Sequence, residues 1–397
     1  MSRESNDGRR AALDGHLAWW GLKRFTADAE YFAWQSEQLS PAELNQLNEQ
    51  VERKRGGDRR DEIAFYDLTA QPHILPVLYS QRYEYYSEIG FRVASRIGNA
   101  HSILDFGCGV GILTTFYGRQ FPKKQFVGVD RSPVSVARAQ EKANALGLSN
   151  VRFACADIKR DSFPGSYDLI VATHALLQAE RDPGLPSQSW RTFARAHDGR
   201  QQAAFEQRTG IGLRLDRLSA LLVEHGRMIV FEKTRQLARR VPFQRALAAR
   251  GLRLLEVSEP VRYQLVEEVV DDGPFYVLQK KPDEVIGWDE SPEPDDAVPF
   301  DRVALQGKSS DPDAPLYENH GPSAQHVWET LTGRELVKEI TREEADGCQM
   351  HVELGMAEGY AYLYCANTFD QRQLVIVEPA RGAMIEGYYQ EIVGGQG

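Results

Sequence analysis

Short apolar runs alternate with helical patterns across the middle of this sequence. Between residues 61 and 280 the apolar runs lie at 102–106, 125–130, 151–155, 167–172, 227–232, 252–257 and 275–279. Runs of this length that are separated by helical stretches are typical of strands covered by helices. The pattern therefore predicts an α/β domain with a largely parallel sheet and helices on both faces.

The first 60 residues show a helical pattern without strands. Ser40-Pro41-Ala42-Glu43 reads as a helix start, with an N-cap, a proline in the first turn and a capping glutamate, and Gly56-Gly57 reads as a stop. This segment is rich in aromatic residues, including Trp19, Trp20 and Trp34. We expect a helical N-terminal cap over 1–60 that either buries aromatics on the main domain or forms a lid over a site.

Composition changes after residue 280. Residues 281–320 are rich in Asp, Glu and Pro, which predicts a linker or a strap over the surface. Residues 321–397 regain apolar alternation and predict a small α+β domain with strands near 350–354, 360–365 and 373–377. In the second of these, Tyr360, Tyr362 and Tyr364 share one face, which either packs inside the domain or forms a recognition surface.

Charge and cysteine content narrow the class of protein. The 397 residues are 42% hydrophobic and 26% charged, with a formal net charge of −10, so no nucleic-acid partner is expected. The sequence has no apolar run that would suggest a signal peptide or a membrane span, and we expect a cytoplasmic protein with no membrane association. The four cysteines form no C-x-x-C pair, so neither a disulfide framework nor a metal site is expected.

The stretch I-L-D-F-G-C-G-V-G at 103–111 ends the first predicted strand in a glycine-rich turn. Glycines at such a turn let backbone N–H groups approach a ligand closely. The spacing of Gly107, Gly109 and Gly111 is G-x-G-x-G, which differs from the G-x-G-x-x-G of dinucleotide sites. Asp105 would repel a pyrophosphate and attract an ammonium or sulfonium group, so we expect a cationic ligand.

Further polar residues follow the next strands. Asp130 ends the second strand, where a carboxylate can accept hydrogen bonds from a ribose diol, and Asp157 with Ile158 follows the third, where the pair could hold an adenine. Thr173 and His174 end the fourth strand. Ligands of open α/β sheets lie at the carboxyl ends of the strands, so these side chains should converge on one site.

The segment from Ile103 to Ile158 resembles the class I S-adenosylmethionine-dependent methyltransferases, with I-L-D-F-G-C-G-V-G, F-V-G-V-D-R-S and V-R-F-A-C-A-D-I in the family's order. The resemblance implies S-adenosylmethionine as cofactor and a seven-stranded, mostly parallel sheet whose last strand is antiparallel. It also implies that the methionine portion is bordered by Asp105, Gly107, Gly109 and Gly111, the ribose is bound by Asp130, and the adenine is met by Asp157 and Ile158.

Other residues near this edge are candidates for the same site. His174 is our candidate general base, with a structural role as the alternative. Arg131 either lies over the adenine or is solvated. Tyr83, in the tyrosine-rich stretch before the first strand, either closes over the cofactor with its neighbours or packs a helix onto the sheet. An insertion at 179–212 would border the acceptor site, or is a plain surface excursion.

The expected function is in-line transfer of a methyl group from S-adenosylmethionine to a small molecule or peptide at the carboxyl edge of the sheet. The sequence A-T-H-A at the end of the fourth strand lacks an N-P-P-Y motif, which disfavours a nucleobase amine as acceptor. The alternative is a cofactor-retaining binding or scaffold protein whose C-terminal domain recognises a protein partner. The N-terminal cap and the C-terminal domain are the candidate surfaces for a homo-oligomer.

Overall fold

The computed structural model describes residues 3–56, 59–161, 164–177, 182–281, 286–293, 300–301, 314–343 and 348–394. The chain divides into two compact units. Unit 1 comprises Met1–Asp182, Glu206–Arg235 and Gln244–Trp288, and unit 2 comprises Pro183–Phe205, Gln236–Phe243 and Asp289–Gly397. Two segments from the middle of the chain thus belong with the C-terminal part, which a division into consecutive domains does not anticipate. Most of the predicted linker at 281–320 lies outside the described residues.

The helices of the first 250 residues alternate with strands only after residue 100. They are α1 (Arg3–Trp19), α2 (Asp28–Gln38), α3 (Pro41–Gly56), α4 (Arg59–Thr69), α5 (Leu75–Ser80), α6 (Tyr83–Arg96), α7 (Ile112–Gln120), α8 (Pro133–Ala145), α9 (Gly199–Thr209), α10 (Ile211–Leu221) and α11 (Leu237–Ala249). At the start of α3, the Ser40 backbone N–H donates to the Glu43 carboxylate at 2.8 Å, as the sequence predicts for a capping box. None of the helices within the described residues is both long and apolar enough to cross a bilayer.

Unit 1 contains the mixed sheet that the apolar runs predict. Its strands are β1 (Ser102–Phe106), β2 (Gln125–Asp130), β3 (Val151–Cys155), β4 (Tyr167–Thr173), β5 (Leu222–Phe231), β6 (Leu252–Leu254), β7 (Glu259–Leu265) and β8 (Glu268–Lys280). The order is β3-β2-β1-β4-β5-β8-β6, with β7 also paired to β8. Strands β1 to β5 pair in parallel and β8 is antiparallel to β5. The predicted α/β class and the antiparallel last strand are confirmed.

Strand β7 was missed by the sequence analysis for a physical reason. In E-P-V-R-Y-Q-L only Val261 and Tyr263 are buried, and the other residues are exposed or partly exposed. An edge strand with one solvated face needs no continuous apolar run, so it gives a weaker signal than the buried strands.

The core of unit 1 joins the N-terminal helices to the sheet. Leu13 and Leu17 of α1, with Trp20, belong to the same buried cluster as residues of β1, β4 and β5. Trp20 is 2% exposed and Trp19 is 39% exposed. The cap therefore buries aromatic side chains on the main domain, which was the first of the two interpretations of this segment.

Unit 2 is built on a second, antiparallel sheet. Its strands are β9 (Tyr317–His320), β10 (Glu335–Glu343), β11 (Gln349–Ala357), β12 (Tyr360–Asn367) and β13 (Arg372–Val377), in the order β10-β11-β12-β13-β9. The helices α12 (Gly321–Thr330) and α13 (Gly382–Gly394) contribute to two different hydrophobic clusters. The sequence analysis missed β9 and β10; every residue of β10 is exposed except Ile340, so this strand also lacks an apolar run.

The tyrosine row of β12 packs inside unit 2. Tyr362 and Tyr364 are 1% and 0% exposed and lie in one cluster with α12 residues, while Leu363 faces the cluster of α13. The burial of Tyr362 and Tyr364 agrees with the packing interpretation, and Tyr360 is partly buried against the same cluster.

Candidate functional site

A cavity of about 660 Å³ lies in unit 1 at the carboxyl ends of β1, β2 and β4. The N-terminal helices and the sheet edge both contribute to its wall. The lining residues include Phe32, Leu44, Leu47, Val51, Glu62, Ile63, Phe65, Tyr66, Tyr79, Arg82, Tyr85, Tyr86, Asp105, Gly107, Gly109, Asp130, Arg131, Ala156, Thr173, His174 and Arg214. The predicted convergence of the strand ends is present, and helices α2 to α4 extend the cavity away from the sheet.

The three glycines of the turn serve different purposes. Gly107 has a φ of 75°, and a Cβ there would lie 2.4 Å from the Cβ of Ala175 in the loop after β4. Gly111 has a φ of 81°, and a Cβ there would clash with Ala139 and Phe153. A Cβ on Gly109 would meet nothing within 4 Å. Gly109 is thus the position where the backbone is open to a ligand, while the other two permit close packing.

Two carboxyl groups lie at this edge of the sheet. Asp105 is 6% exposed, accepts a hydrogen bond from the Thr114 hydroxyl, and has its pKa raised by burial to about 6. Asp130 accepts the Gly109 N–H on Oδ2 and the Ser132 N–H on Oδ1, each at 2.9 Å. Burial raises the pKa of Asp130 above its usual range, although these backbone donors oppose the shift. A cation bound beside these acids would offset the cost of burying their charges.

The residues assigned to adenine are arranged differently from the prediction. Neither Asp157 nor Ile158 lines the cavity; Ala156 does. The Asp157 carboxylate forms an ion pair with Arg59 of α4 at 2.9 Å. Arg131 lines the cavity and forms an ion pair with Glu62, also from α4, while its side chain remains partly exposed.

Tyr83, predicted to close over the cofactor, is not among the residues that line the cavity. Its ring lies in the core of unit 1, and its hydroxyl donates to Asp14 Oδ1 at 3.1 Å. The cavity is lined instead by Tyr79, Tyr85 and Tyr86. Tyr79 lies on α5, and Tyr85 and Tyr86 lie on α6 with Tyr83.

His174 lies at the end of β4 with a φ of 52°, and it lines the cavity together with Thr173. Arg82 Nη2 lies 2.8 Å from Nδ1, and Asp272 Oδ2 lies 3.1 Å from Nε2. The ring stacks between Tyr85 and Phe231, with centroids 4.9 and 5.2 Å away. Burial lowers the pKa of His174 to about 4, despite the neighbouring carboxylate of Asp272.

This environment argues against His174 as a general base. Arg82 can only donate, so Nδ1 acts as the acceptor and the ring proton resides on Nε2, facing Asp272. Nδ1, the acceptor, is occupied by Arg82, Nε2 faces the Asp272 carboxylate, and a pKa of about 4 makes the imidazole a weak proton acceptor. We therefore regard His174 as a residue that positions Arg82.

Three residues of this site were missed by the sequence analysis. They are Arg82, Asp272 and Glu232. Glu232 follows β5 and accepts the backbone N–H groups of Ala175 and Leu176 at 2.7 and 2.6 Å, which fixes the loop after β4. Burial raises its pKa to about 7. The signal available for Glu232 was its place at the carboxyl end of an apolar run; Arg82 and Asp272 give no comparable signal.

The residues at this edge of the sheet also match a known protein family. A family model described as a methyltransferase domain matches residues 103–196, beginning in β1 and including the glycine turn and Asp130. Residues 103–196 therefore carry the pattern of a methyltransferase domain. The resemblance seen in residues 103–158 is thereby confirmed.

Relatives of the methyltransferase domain act on different acceptors, to judge by their names. Malonyl-[acyl-carrier protein] O-methyltransferase of Bacillus cereus is 39% identical over 70 residues, which is 18% of this chain and 25% of that protein. (S)-Coclaurine N-methyltransferase of Thalictrum flavum subsp. glaucum is 32% identical over 77 residues, 19% of this chain and 21% of that protein. The chain thus spans about a quarter of the length of these curated relatives.

Solved structures are also similar to the methyltransferase domain. Magnesium protoporphyrin IX methyltransferase from Synechocystis PCC 6803, solved with bound S-adenosylmethionine, is 16% identical. The similarity covers 57% of this chain and 88% of that one, with a TM-score of 0.35.

The insertion predicted at 179–212 is divided between the two units: Pro183–Phe205 belongs to unit 2, and Asp182 and residues 206–212 belong to unit 1. None of its described residues, 182–212, is among those that line the cavity. Trp190 of this segment instead packs in a cluster with Tyr364. Residues 178–181 lie outside the described residues.

Proposed function

We propose that this protein transfers a methyl group from S-adenosylmethionine to a small molecule that combines an apolar body with an anionic group. The observation that carries the proposal is the single cavity, which joins the acidic, glycine-lined edge of the sheet to an aromatic compartment beneath the N-terminal helices. The methyltransferase domain at 103–196 supports the reaction class. A peptide with an apolar side chain and an acidic group would share this chemistry.

The residues at the sheet edge fit S-adenosylmethionine. Gly109 presents backbone without a side chain, and each oxygen of Asp130 keeps a lone pair free after accepting one N–H, as a ribose diol requires. Asp105 is a buried acid whose described hydrogen-bond partner is the neutral Thr114, which suits a ligand that carries positive charge. When bound, the cofactor supplies an electrophilic methyl group.

The far end of the cavity suits an apolar acceptor. Its wall consists of side chains from α2, α3, α4 and α6, among them Phe32, Leu47, Val51, Ile63, Phe65 and Tyr86. Burying apolar surface against such a wall gives about 25 cal/mol per Å² and excludes water from the site. Helices α2 to α4 thus provide the acceptor compartment in this proposal.

Arg82 would bind the anionic group of the acceptor. Its guanidinium lies 4.3 Å from the ring centroid of Tyr85, and among the described residues its side chain donates one hydrogen bond, to His174. The other N–H groups remain available to a carboxylate, which guanidinium binds in a bidentate manner. His174 and Asp272 hold Arg82 in place.

A carboxylate acceptor also requires no general base, which agrees with the lowered pKa of His174. Its oxygen is already deprotonated at neutral pH, so the protein needs only to align it and exclude water. Arg82 must therefore fix the carboxylate without protonating it, which a guanidinium does because it remains charged at all accessible pH values. The O-methyltransferase among the relatives supports an oxygen acceptor.

The test uses the full-length protein, calorimetry with S-adenosylmethionine, and methyl transfer to acceptors of equal apolar size that end in a carboxylate, a hydroxyl or an amine. We expect cofactor binding and preferential labelling of the carboxylate. Arg82→Lys should lower kcat/KM for the carboxylate about 10- to 100-fold, because a bidentate contact is lost, and leave cofactor affinity unchanged. Arg10→Lys, which changes an exposed ion pair with Glu88, is the matched control.

Each measurement can contradict a different part of the proposal. Absence of S-adenosylmethionine binding would refute the enzymatic function. Binding with equal labelling of the hydroxyl and amine acceptors, or an unchanged Arg82→Lys enzyme, would refute the anionic acceptor while leaving methyl transfer intact.

A further inference from the structure

A histidine and two glutamates come together on the sheet of unit 2, far along the chain from the methyltransferase motifs. Glu339 lies on β10, and His351 and Glu353 lie on β11. One ligand atom from each side chain lies within 4.8 Å of the other two. We propose that these three side chains form a binding site for a divalent transition metal of the zinc class.

Strand register places the residues on one face. In the antiparallel pairing of β10 with β11, Glu339 is opposite Glu353 and Thr341 is opposite His351. Residues two apart on a strand point to the same side, so all four side chains project from the same face of the sheet. The arrangement follows from the register and does not depend on a loop.

The imidazole of His351 is oriented by its surroundings. His351 is 1% exposed, and the indole of Trp190 stacks on it with the centroids 3.6 Å apart and the planes at 1°. Its Nδ1 lies 2.8 Å from the Thr341 hydroxyl oxygen. If Nδ1 donates its proton to that oxygen, Nε2 is left with a free lone pair, as a metal ligand requires.

Nε2 of His351 is buried and has no hydrogen-bond partner within the described part of the chain. The nearest carboxylate oxygen, Oε2 of Glu353, lies 3.5 Å away, at the outer limit for a hydrogen bond. An unpartnered buried nitrogen is costly, and a bound cation would remove the cost. The distance also matches a shared metal: zinc bonds of about 2.0 to 2.2 Å in a tetrahedron separate two ligand atoms by about 3.3 to 3.6 Å.

Glu353 is held in the orientation that a ligand needs. Its Oε1 accepts hydrogen bonds from the Tyr362 hydroxyl and from the Trp328 indole, the latter at 3.3 Å. Oε2 is therefore the oxygen directed to His351. Such outer hydrogen bonds are the usual support of metal-binding carboxylates.

Glu339 completes the set and keeps the site accessible. It is exposed on β10, and one oxygen of its carboxylate already lies within 4.8 Å of the other two ligand atoms. The cation Arg334 lies close enough to affect Glu353, but two carboxylates against one guanidinium leave an excess of negative charge. One nitrogen with two oxygen ligands suits zinc and leaves a fourth position for water.

The sequence analysis expected no metal because it considered cysteine pairs. This cluster contains no cysteine, and its only local signal is His-Val-Glu at 351–353, which is common in strands. The third ligand becomes visible only when the pairing of β10 with β11 is known. The inference is independent of the proposed methyl transfer.

The test measures Zn²⁺ binding to the full-length, tag-free protein by calorimetry. Glu339→Gln removes an exposed ligand without disturbing the core, and we expect Zn²⁺ affinity to fall at least about 10-fold. Glu343→Gln, with the same change of charge on the same exposed strand, is the matched control and should bind as the parent does. Thr341→Val should weaken binding about 10- to 100-fold, because it removes the partner of Nδ1.

Co²⁺ provides a second readout that does not depend on affinity. Binding to the parent protein should give visible absorption bands typical of a low coordination number, and Glu339→Gln should change or abolish them. The proposal is overturned if the parent does not bind Zn²⁺, or if the parent and Glu339→Gln bind it equally. The cluster would then be a histidine–glutamate ion pair covered by Trp190.

Discussion

Replacing Asp105 tests whether the carboxyl edge of the sheet binds a cationic cofactor. The substitution should raise the stability of the unliganded protein and lower its affinity for the cofactor. Burial raises the pKa of Asp105 from 3.8 to about 6. The carboxylate is therefore harder to ionise in the folded than in the unfolded protein. At low pH, where Asp105 is protonated in both states, this group does not affect the free energy of unfolding. As pH rises from about 4 to 6, ionisation of Asp105 in the unfolded protein lowers the free energy of unfolding, and the full loss is present above pH 6.

The size of this penalty follows from the shift. About two pKa units at about 1.4 kcal/mol each give about 3 kcal/mol at neutral pH. Asp105→Asn removes the charge but keeps the shape of the side chain and an oxygen that can accept from the Thr114 hydroxyl. The unliganded variant should therefore be more stable than the parent by up to about 3 kcal/mol at pH 8, and the difference should vanish near pH 4.

The same substitution should weaken cofactor binding. The carboxylate of Asp105 is the group expected to offset the positive charge of S-adenosylmethionine, so its loss should lower affinity at pH 8. Binding to the parent should in turn weaken as pH falls through about 6, when Asp105 becomes protonated. The variant should show a much smaller pH dependence over that range.

The assays are urea unfolding at several pH values and calorimetry with S-adenosylmethionine. Asp168→Asn is the control of opposite sign: backbone N–H groups of Ser102 and His101 lower the pKa of Asp168, so this variant should lose stability at pH 8. If Asp105→Asn is less stable than the parent at pH 8, or binds the cofactor equally well, the reasoning about this buried acid is wrong.

Three further outcomes are expected. Asp130→Ala should weaken S-adenosylmethionine binding by calorimetry at least about 10-fold, because it removes charge-assisted hydrogen bonds worth about 1.5 to 3 kcal/mol each; unchanged affinity would exclude a ribose contact. Gly107→Ala should destabilise unit 1 in thermal unfolding because its Cβ meets Ala175, whereas Gly109→Ala should cost only about 1 kcal/mol in stability and act mainly on cofactor affinity; equal unfolding temperatures would contradict this contrast. His174→Gln should lower turnover without moving the pH–rate profile between pH 5 and 8; loss of a titration near pH 6 to 7 would restore its role as a base.

A truncation after Trp288 tests whether the two middle segments of unit 2 need the C-terminal part of that unit. The segments Pro183–Phe205 and Gln236–Phe243 would be left without the rest of unit 2, and Trp190 would lose the cluster that buries it. We expect aggregation of the fragment by light scattering, since a large apolar surface becomes exposed. A soluble, monomeric fragment would show that these segments tolerate separation.

The part of the site that the sequence predicted well is local. Residues 102–106, 125–130 and 151–155 were predicted as strands and are strands with those limits, because a short buried run bounded by turn residues specifies its own ends. The glycine turn was likewise visible, since its backbone conformation needs glycine. The ion pair of Asp157 with Arg59 could not be predicted, because Arg59 lies on a helix almost 100 residues earlier.

The sequence by itself determined the class of the sheet and the acidic, glycine-rich edge that bears the methyltransferase signature, because hydrophobic period and turn conformation are properties of neighbouring residues. Only the tertiary structure decided which groups meet there and elsewhere. Arg82 is hydrogen-bonded to His174, 92 residues later in the chain. The indole of Trp190 stacks on His351, and the register of β10 with β11 places Glu339 opposite Glu353. Such contacts depend on the path of the whole chain, so no local pattern contains them.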